Sequence, residues 1–219
     1  MEWDKFWSEN KKVLEERCPR YMGVSSNHKV VMHLENVPDE ITEHQVQIHP
    51  QKPEFGERVM LRNSKIYIDQ DDASTYKVGE EVTLLRWGNV IISSIEVDSE
   101  NKISIIKCKH DPAATNFSKT KKATWIAVTP NLIPCVLVEF DHLITKAKLG
   151  EDDKFEDYVN PNTRKESDAL CDPGLGLIKA GDVIQLERKG FYRCDTPFDS
   201  SNNKPMVLFL IPDGKVAKK

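Results

Sequence analysis

The sequence has no long hydrophobic run. None of its apolar stretches approaches the roughly 18 residues needed to cross a bilayer, which excludes a helical membrane span. The opening Met1-Glu2-Trp3-Asp4-Lys5 is neither a basic nor an apolar leader, so no secretory signal is expected. Cysteine is scarce: Cys18, Cys108, Cys135, Cys171 and Cys194 are widely spaced and form no CxxC pair, which argues against a zinc ribbon. They are expected to be reduced, packed thiols. The six histidines show neither HxxxH nor HExxH spacing, so nothing asks for a metal. The ten glycines make no GxxxxGK[ST] loop, no GxGxxG and no GxSxG elbow, which removes the common nucleotide-binding and hydrolase signatures. Net charge is only −4 across 219 residues that are 39% hydrophobic, too balanced for a disordered chain. That length suits one large domain or two small ones.

The first segment reads as a helix. Trp3, Phe6, Trp7, Val13 and Leu14 fall at i, i+3, i+4, i+10 and i+11, one helical face, and Pro19 limits its length. Its aromatic face needs a partner, either the rest of the chain or a domain outside it. After Pro19 the pattern turns to short β segments. They are 30–34, 59–61, 65–69, 82–86, 90–97, 103–109, 124–128, 135–140, 183–188, 190–194 and 207–211, separated by Pro, Gly, Asn and Asp. Residues 98–102 read as a polar hairpin loop, and 153–159 as one or two helical turns. Asp69, Asp71 and Asp72 lack the glycine and terminal glutamate of a calcium loop and read as a strand end entering a turn. Inspection reveals no internal repeat. Lys215–Lys219 is too short for a functional tail.

Charge is uneven. Residues 102–122 carry six lysines against one acid, Asp111, whereas 35–57 is acidic. A basic face of this kind attracts a phosphate backbone by counterion release. A solvated hairpin edge kept soluble by lysine explains the same composition.

Several stretches resemble one family. Trp3-Asp4-Lys5-Phe6-Trp7 with Asn10-Lys11-Lys12-Val13 and Pro19-Arg20-Tyr21 is similar to the WDKxWxxNKKV…PRY segment of glutamyl-tRNA synthetases. His49-Pro50-Gln51-Lys52-Pro53-Glu54-Phe55-Gly56 resembles that family's HPxxPExG loop. Lys65–Asp69, Trp87-Gly88-Asn89, Ala123–Ala127 and His142-Leu143-Ile144-Thr145-Lys146 follow in the family's order. Gln185–Phe191 resembles the QxxRxGF/Y strand pair, and Ile211-Pro212-Asp213-Gly214 the IPDG ending. The matches run collinearly from residue 3 to residue 214, and favour the eukaryotic and archaeal branch.

The resemblance implies a mainly β fold: two six-stranded-type β-barrels, of the kind also found in a ribosomal protein, behind a short N-terminal helical segment. It implies a helical lead-in over 1–26, a first anticodon-binding barrel over 27–130 and a second over 131–219, with strands free to cross between barrels. The HIGH-type and KMSKS-type motifs of ATP activation are not found, and Ser118–Lys122 is only a superficial echo of the latter. The expectation is therefore a C-terminal, non-catalytic region. It would need no cofactor, ATP and magnesium belonging to a catalytic part outside it. Its expected partner is the anticodon arm of tRNA-Glu in the cytoplasm, with no DNA and no membrane. Runner-up readings are a glutaminyl-tRNA synthetase region, or a docking module for other synthetases or scaffold proteins.

By the same resemblance Arg20, Gln185 and Arg188, with Glu187 beside them, would read the middle anticodon base. Unpaired bases are read on their edges, where arginine donates to carbonyls and glutamine both donates and accepts. From the residues alone, Gln185 and Arg188 equally suit an exposed ladder pair. Arg86 and Trp87 are candidates for a phosphate contact and a stacking platform, with Trp87 as core the alternative. Lys119, Lys121 and Lys122 would touch the backbone. Relatives place an arginine for the third base where Thr75 is the nearest match, so no reader of that base is assigned.

Overall fold

The computed structural model describes residues 3–214; the terminal lysine-rich segment read above lies outside them. Helix α1 (Trp3–Arg17) carries Asp4 in its first turn and Arg17 in its last, both suited to the helix dipole. The Cys18 amide donates to the Leu14 carbonyl at 2.9 Å, and Pro19 then ends the helix. No residue of α1 is buried, and Trp3 is 70% exposed. Trp3, Phe6 and Trp7 pack on one another instead, with ring centroids 5.1–6.2 Å apart. The helix meets the rest of the chain along another side: a ring nitrogen of His49 bonds the Glu15 carbonyl at 2.8 Å, and Lys11 pairs with Asp213 at 3.6 Å.

The strands follow in order. The first six are β1 (Arg20–Tyr21), β2 (Gly23–Ser25), β3 (Lys29–Leu34), β4 (Thr42–Gln47), β5 (Glu57–Arg62) and β6 (Lys65–Asp69). After the one-turn α2 (Gln70–Ala73) come β7 (Glu81–Leu84), β8 (Gly88–Val97), β9 (Ile103–Asp111), β10 (Lys121–Ala123) and β11 (Trp125–Ala127). The last are β12 (Ile133–Phe140), β13 (Arg164–Cys171), β14 (Val183–Leu186), β15 (Gly190–Thr196) and β16 (Met206–Ile211). A 3-10 turn over Phe155–Tyr158 occupies the segment read as helical.

Two seven-stranded sheets result, one strand more than six-stranded barrels would have. Their orders are β10-β7-β8-β9-β3-β6-β11 and β1-β14-β15-β16-β12-β13-β2, and β4–β5 is a separate ribbon. Each sheet closes on itself in the same way. Its two outer strands are consecutive in the chain and separated by one buried residue, Thr124 in the first and Met22 in the second. Barrel closure removes the exposed edges that short strands otherwise present. Residues 20–25, read from sequence as lead-in, thus supply both outer strands of the second barrel.

The two barrels share one topology. Parallel pairs β7–β10 and β3–β9 correspond to β14–β1 and β12–β16, and every other neighbour is antiparallel. The duplication extends to sequence, contrary to the reading of no repeat. Lys77–Ile92 (KVGEEVTLLRWGNVII) and Lys179–Cys194 (KAGDVIQLERKGFYRC) align without a gap at a spacing of 102 residues. Five positions are identical: Lys77/Lys179 and Gly79/Gly181 precede the hairpin, and the other three shape it. Leu84 and Leu186 are buried. Arg86 and Arg188 both take left-handed backbone, at φ 64° and 65°. Gly88 and Gly190 have φ 144° and 152°, and a Cβ would come within 3.0 Å of His110 and 2.9 Å of Leu210 respectively. Each barrel has its own apolar core: Met32, Ile66, Leu84, Ile106 and Trp125 in the first, Cys171, Ile184, Leu186, Met206 and Leu208 in the second.

Candidate nucleic-acid interface

Strand β14 alternates, so Ile184 and Leu186 point into the barrel while Gln185 and Glu187 point away from it. Parallel pairing puts Arg20 of β1 opposite Gln185. The pair carries unspent hydrogen-bonding capacity: Arg20 Nε and Gln185 Oε1 are buried and have no partner. Arg20 makes only a long 3.4 Å bond, from Nη2 to the Glu15 carbonyl. Buried polar groups are normally satisfied, so an adjacent donor and acceptor left open suit a ligand edge.

Glu187 and Arg86 are placed differently from the sequence expectation. They meet across the barrel junction, Arg86 Nε donating to Glu187 Oε1 at 2.6 Å and Nη2 lying 2.5 Å from the same oxygen. Both side chains are 11% exposed. Arg86 Nη1 also donates to the Gln47 carbonyl, and the Arg86 carbonyl accepts from Arg62 Nη2 at 2.7 Å. Burial pulls the Arg86 guanidinium below its ordinary pKa, and Glu187 opposes that pull. These two residues therefore spend their polar atoms clasping the barrels together.

Arg188 occupies the exposed turn between β14 and β15. Its guanidinium forks onto Asp72 of the first barrel, Nη2 donating to Oδ1 at 2.8 Å and Nη1 to Oδ2. Beside it Lys189 pairs with Asp69 at 2.7 Å. The acidic cluster read as a simple strand end is thus the first barrel's half of an interbarrel ion-pair set. Another buried pair, Arg58–Asp172 at 3.0 Å, ties the β4–β5 ribbon to the second barrel.

Trp87 packs on the first core, 4.8 Å from Trp125 and 5.7 Å from His110, and Arg62 covers its ring at 5.2 Å. That is the core alternative of the sequence reading, with little ring face left for a base. Lys122 folds back onto the Phe117 and Thr120 carbonyls. Lys121 pairs with Glu80 at 2.7 Å and donates to the Thr75 carbonyl at 2.5 Å. Lys119 is exposed, in the turn before β10. A chain of contacts therefore runs along one strip: Lys121 to Thr75, Thr75 Oγ1 to the Asp72 carbonyl at 2.8 Å, and Asp72 to Arg188. Gln185 and Arg20 continue it on the strand just before.

Sequence reasoning missed Asp72, Arg58 and Arg62, whose partners lie on the other barrel or across the ribbon. Their only signal was position: Arg58 and Arg62 follow directly on the HPxxPExG-like loop. No group of three or more metal-ligating side chains occurs among the described residues.

Two barrels of one topology, the second carrying an open arginine–glutamine pair, make up the chain, and its class follows from the family comparison. Residues 18–111 and 122–195 each match an anticodon-binding domain of class I tRNA synthetases for E and Q, and the chain belongs to that family. Within it, the chain corresponds to the anticodon-binding region of glutamate--tRNA ligases. It is 44% identical over 218 residues to the cytoplasmic glutamate--tRNA ligase of Arabidopsis thaliana, covering 100% of this chain and 30% of that protein. It is 40% identical over 221 residues to the cytoplasmic enzyme of Saccharomyces cerevisiae, again 100% of this chain and 30% of the relative. A bifunctional glutamate/proline--tRNA ligase from Cricetulus griseus is 38% identical over 98% of this chain and 14% of its own length. The chain thus spans less than a third of the relatives it matches.

Proposed function

We propose that this chain binds the anticodon arm of tRNA-Glu and reads the anticodon, as the recognition region of a cytoplasmic glutamate--tRNA ligase. The observation that carries this reading is the Arg20–Gln185 pair, a donor and an acceptor side by side with no protein partner. Uracil, the middle base of every glutamate anticodon, offers carbonyl acceptors flanking one N–H. Arginine meets a carbonyl and the glutamine oxygen meets the N–H. Lys119 and its neighbours hold the phosphate backbone, which fixes register without carrying sequence information. Glutamate activation with ATP and magnesium belongs to the catalytic part of the parent enzyme, and this region requires neither. Its binding energy serves selection of the correct tRNA by that parent.

A hairpin of the tRNA-Glu anticodon arm and a hairpin of its acceptor arm, titrated at one salt concentration, test the assignment. The chain is expected to bind the anticodon hairpin at least about tenfold more tightly, the value of one good edge contact. Equal binding of the two would refute it.

A further inference from the structure

The third anticodon base has no reader among the residues considered so far. The fork between Arg188 and Asp72 supplies one. Asp72 sits on α2 of the first barrel and Arg188 on the turn three residues beyond Gln185, so the fork lies next along the strip from the middle-base pair. A carboxylate has about four lone-pair sites, and Arg188 takes one on each oxygen. The fork leaves further acceptor sites on Asp72. The arginine fixes the direction of the carboxylate.

A second feature marks the same place as a ligand site. Tyr76 is 5% exposed, and its hydroxyl is buried without a hydrogen-bond partner. Burial raises its pKa first, and among the neighbouring carboxylates Asp72 adds most to that rise. An orphan hydroxyl beside a half-engaged carboxylate is a gap that a polar ligand atom fills.

Resting on the tRNA-Glu reading above, we propose that Asp72 reads the third anticodon base by accepting a hydrogen bond from its exocyclic amine, with Arg188 as the positioning residue. Glutamate codons begin G-A, so the third anticodon base is always cytosine, which carries an N4 amine. Uracil in the middle carries none, and the first base varies between the two codons. An aspartate accepting from cytosine N4 is a standard edge contact.

The test uses synthetic anticodon hairpins that differ by one functional group. One carries the natural cytosine; the other carries the same ring without its N4 amine. Both are titrated against the chain and against Asp72→Ala and Asp72→Glu variants. The wild-type chain is expected to bind the amine-free hairpin about tenfold more weakly. Asp72→Ala should bind both hairpins within about twofold, while Asp72→Glu, which keeps the carboxylate, should retain a preference. A third hairpin with a changed middle base should stay weak for every protein.

Wild-type indifference to the N4 amine would overturn the Asp72 assignment, as would an Asp72→Ala variant that keeps the full preference. In either case a persisting middle-base penalty leaves the anticodon reading standing. Indifference to the middle base as well would remove that reading itself. Thermal melting of each variant accompanies the titrations, and Asp72→Glu supplies the result should Asp72→Ala fold poorly: its loss of the preference for the amine would also count against the proposal.

Discussion

Replacing Glu187 by alanine strips the Arg86 guanidinium of its only carboxylate. In the native structure that carboxylate takes Nε at 2.6 Å and Nη2 at 2.5 Å, inside a junction where both side chains are 11% exposed. What remains for Arg86 is the Gln47 carbonyl. At this exposure solvent screens the pair weakly, so the full penalty of an uncompensated buried charge applies, about 3–5 kcal/mol. That is a large share of the roughly 5–15 kcal/mol that stabilises a domain. For a chain of this size it corresponds to a fall in Tm of about 6–20 °C. The double variant Arg86→Met with Glu187→Leu removes both charges and keeps the volume, so it should lie within about 1 kcal/mol of wild type. Urea denaturation of wild type, both singles and the double gives the coupling directly. A Glu187→Ala variant melting within about 2 °C of wild type would refute the clasp. So would a double variant as unstable as the sum of the singles.

Arg20→Ala and Gln185→Ala are each expected to weaken tRNA-Glu binding by about 1–3 kcal/mol with unchanged melting temperature, read by titration against the full transcript. Lys119→Ala should lower the salt slope of binding by about one, and Lys121→Ala by less, because Glu80 already neutralises Lys121 at 2.7 Å. All five cysteines are buried free thiols, and burial pushes Cys108 up to about 12 and Cys18 and Cys194 up to about 11. Iodoacetamide near pH 8 should therefore leave the folded chain unlabelled by mass spectrometry and modify it fully in urea. Asp199 is held down to about 2 by the Asn202 amide, then the Ser201 hydroxyl. A depressed carboxyl stabilises above its unfolded value and loses that contribution as pH falls through the folded one. The amide resonances of Ser201 and Asn202 should therefore titrate with a midpoint near 2, and a midpoint near the unperturbed value of about 4 would contradict the cap.

Much of the fold was legible because burial imposes periodicity. The apolar segments read at 30–34, 135–140 and 207–211 all became strands with bounds within two residues of that reading, and α1 formed where its spacing put it although its aromatic face is not buried. The strands that escaped, β4 (TEHQVQ) and β13 (RKESDALC), are largely exposed and polar, so no apolar period marks them. β1 and β2 escaped for another reason. They are two and three residues long, and their partners lie about 165 and 145 positions downstream, a pairing that no local pattern encodes. The repeat stayed hidden because its two copies keep only five identical residues in sixteen, while Trp87 and Lys189, at matching positions, serve a core contact and an ion pair.

The site was legible to a different extent. Arg20 and Gln185 are far apart in sequence, and only a motif resemblance joined them before the strands did. Glu187 was a candidate through the motif resemblance and Arg86 as a phosphate contact, both of which need an accessible side chain. Their burial arises from the second barrel closing over the first, which local sequence does not show. Asp72 looked like one acid in a solvated run until its fork partner, 116 residues away, appeared.

The most direct test of the account is the affinity of this chain for tRNA-Glu transcript at fixed salt, beside a transcript whose middle anticodon uracil is replaced by cytosine. The account predicts a loss of about tenfold or more on that single change. Equal affinity for the two would mean that binding comes from the phosphate backbone alone, and would contradict base reading by Arg20 and Gln185.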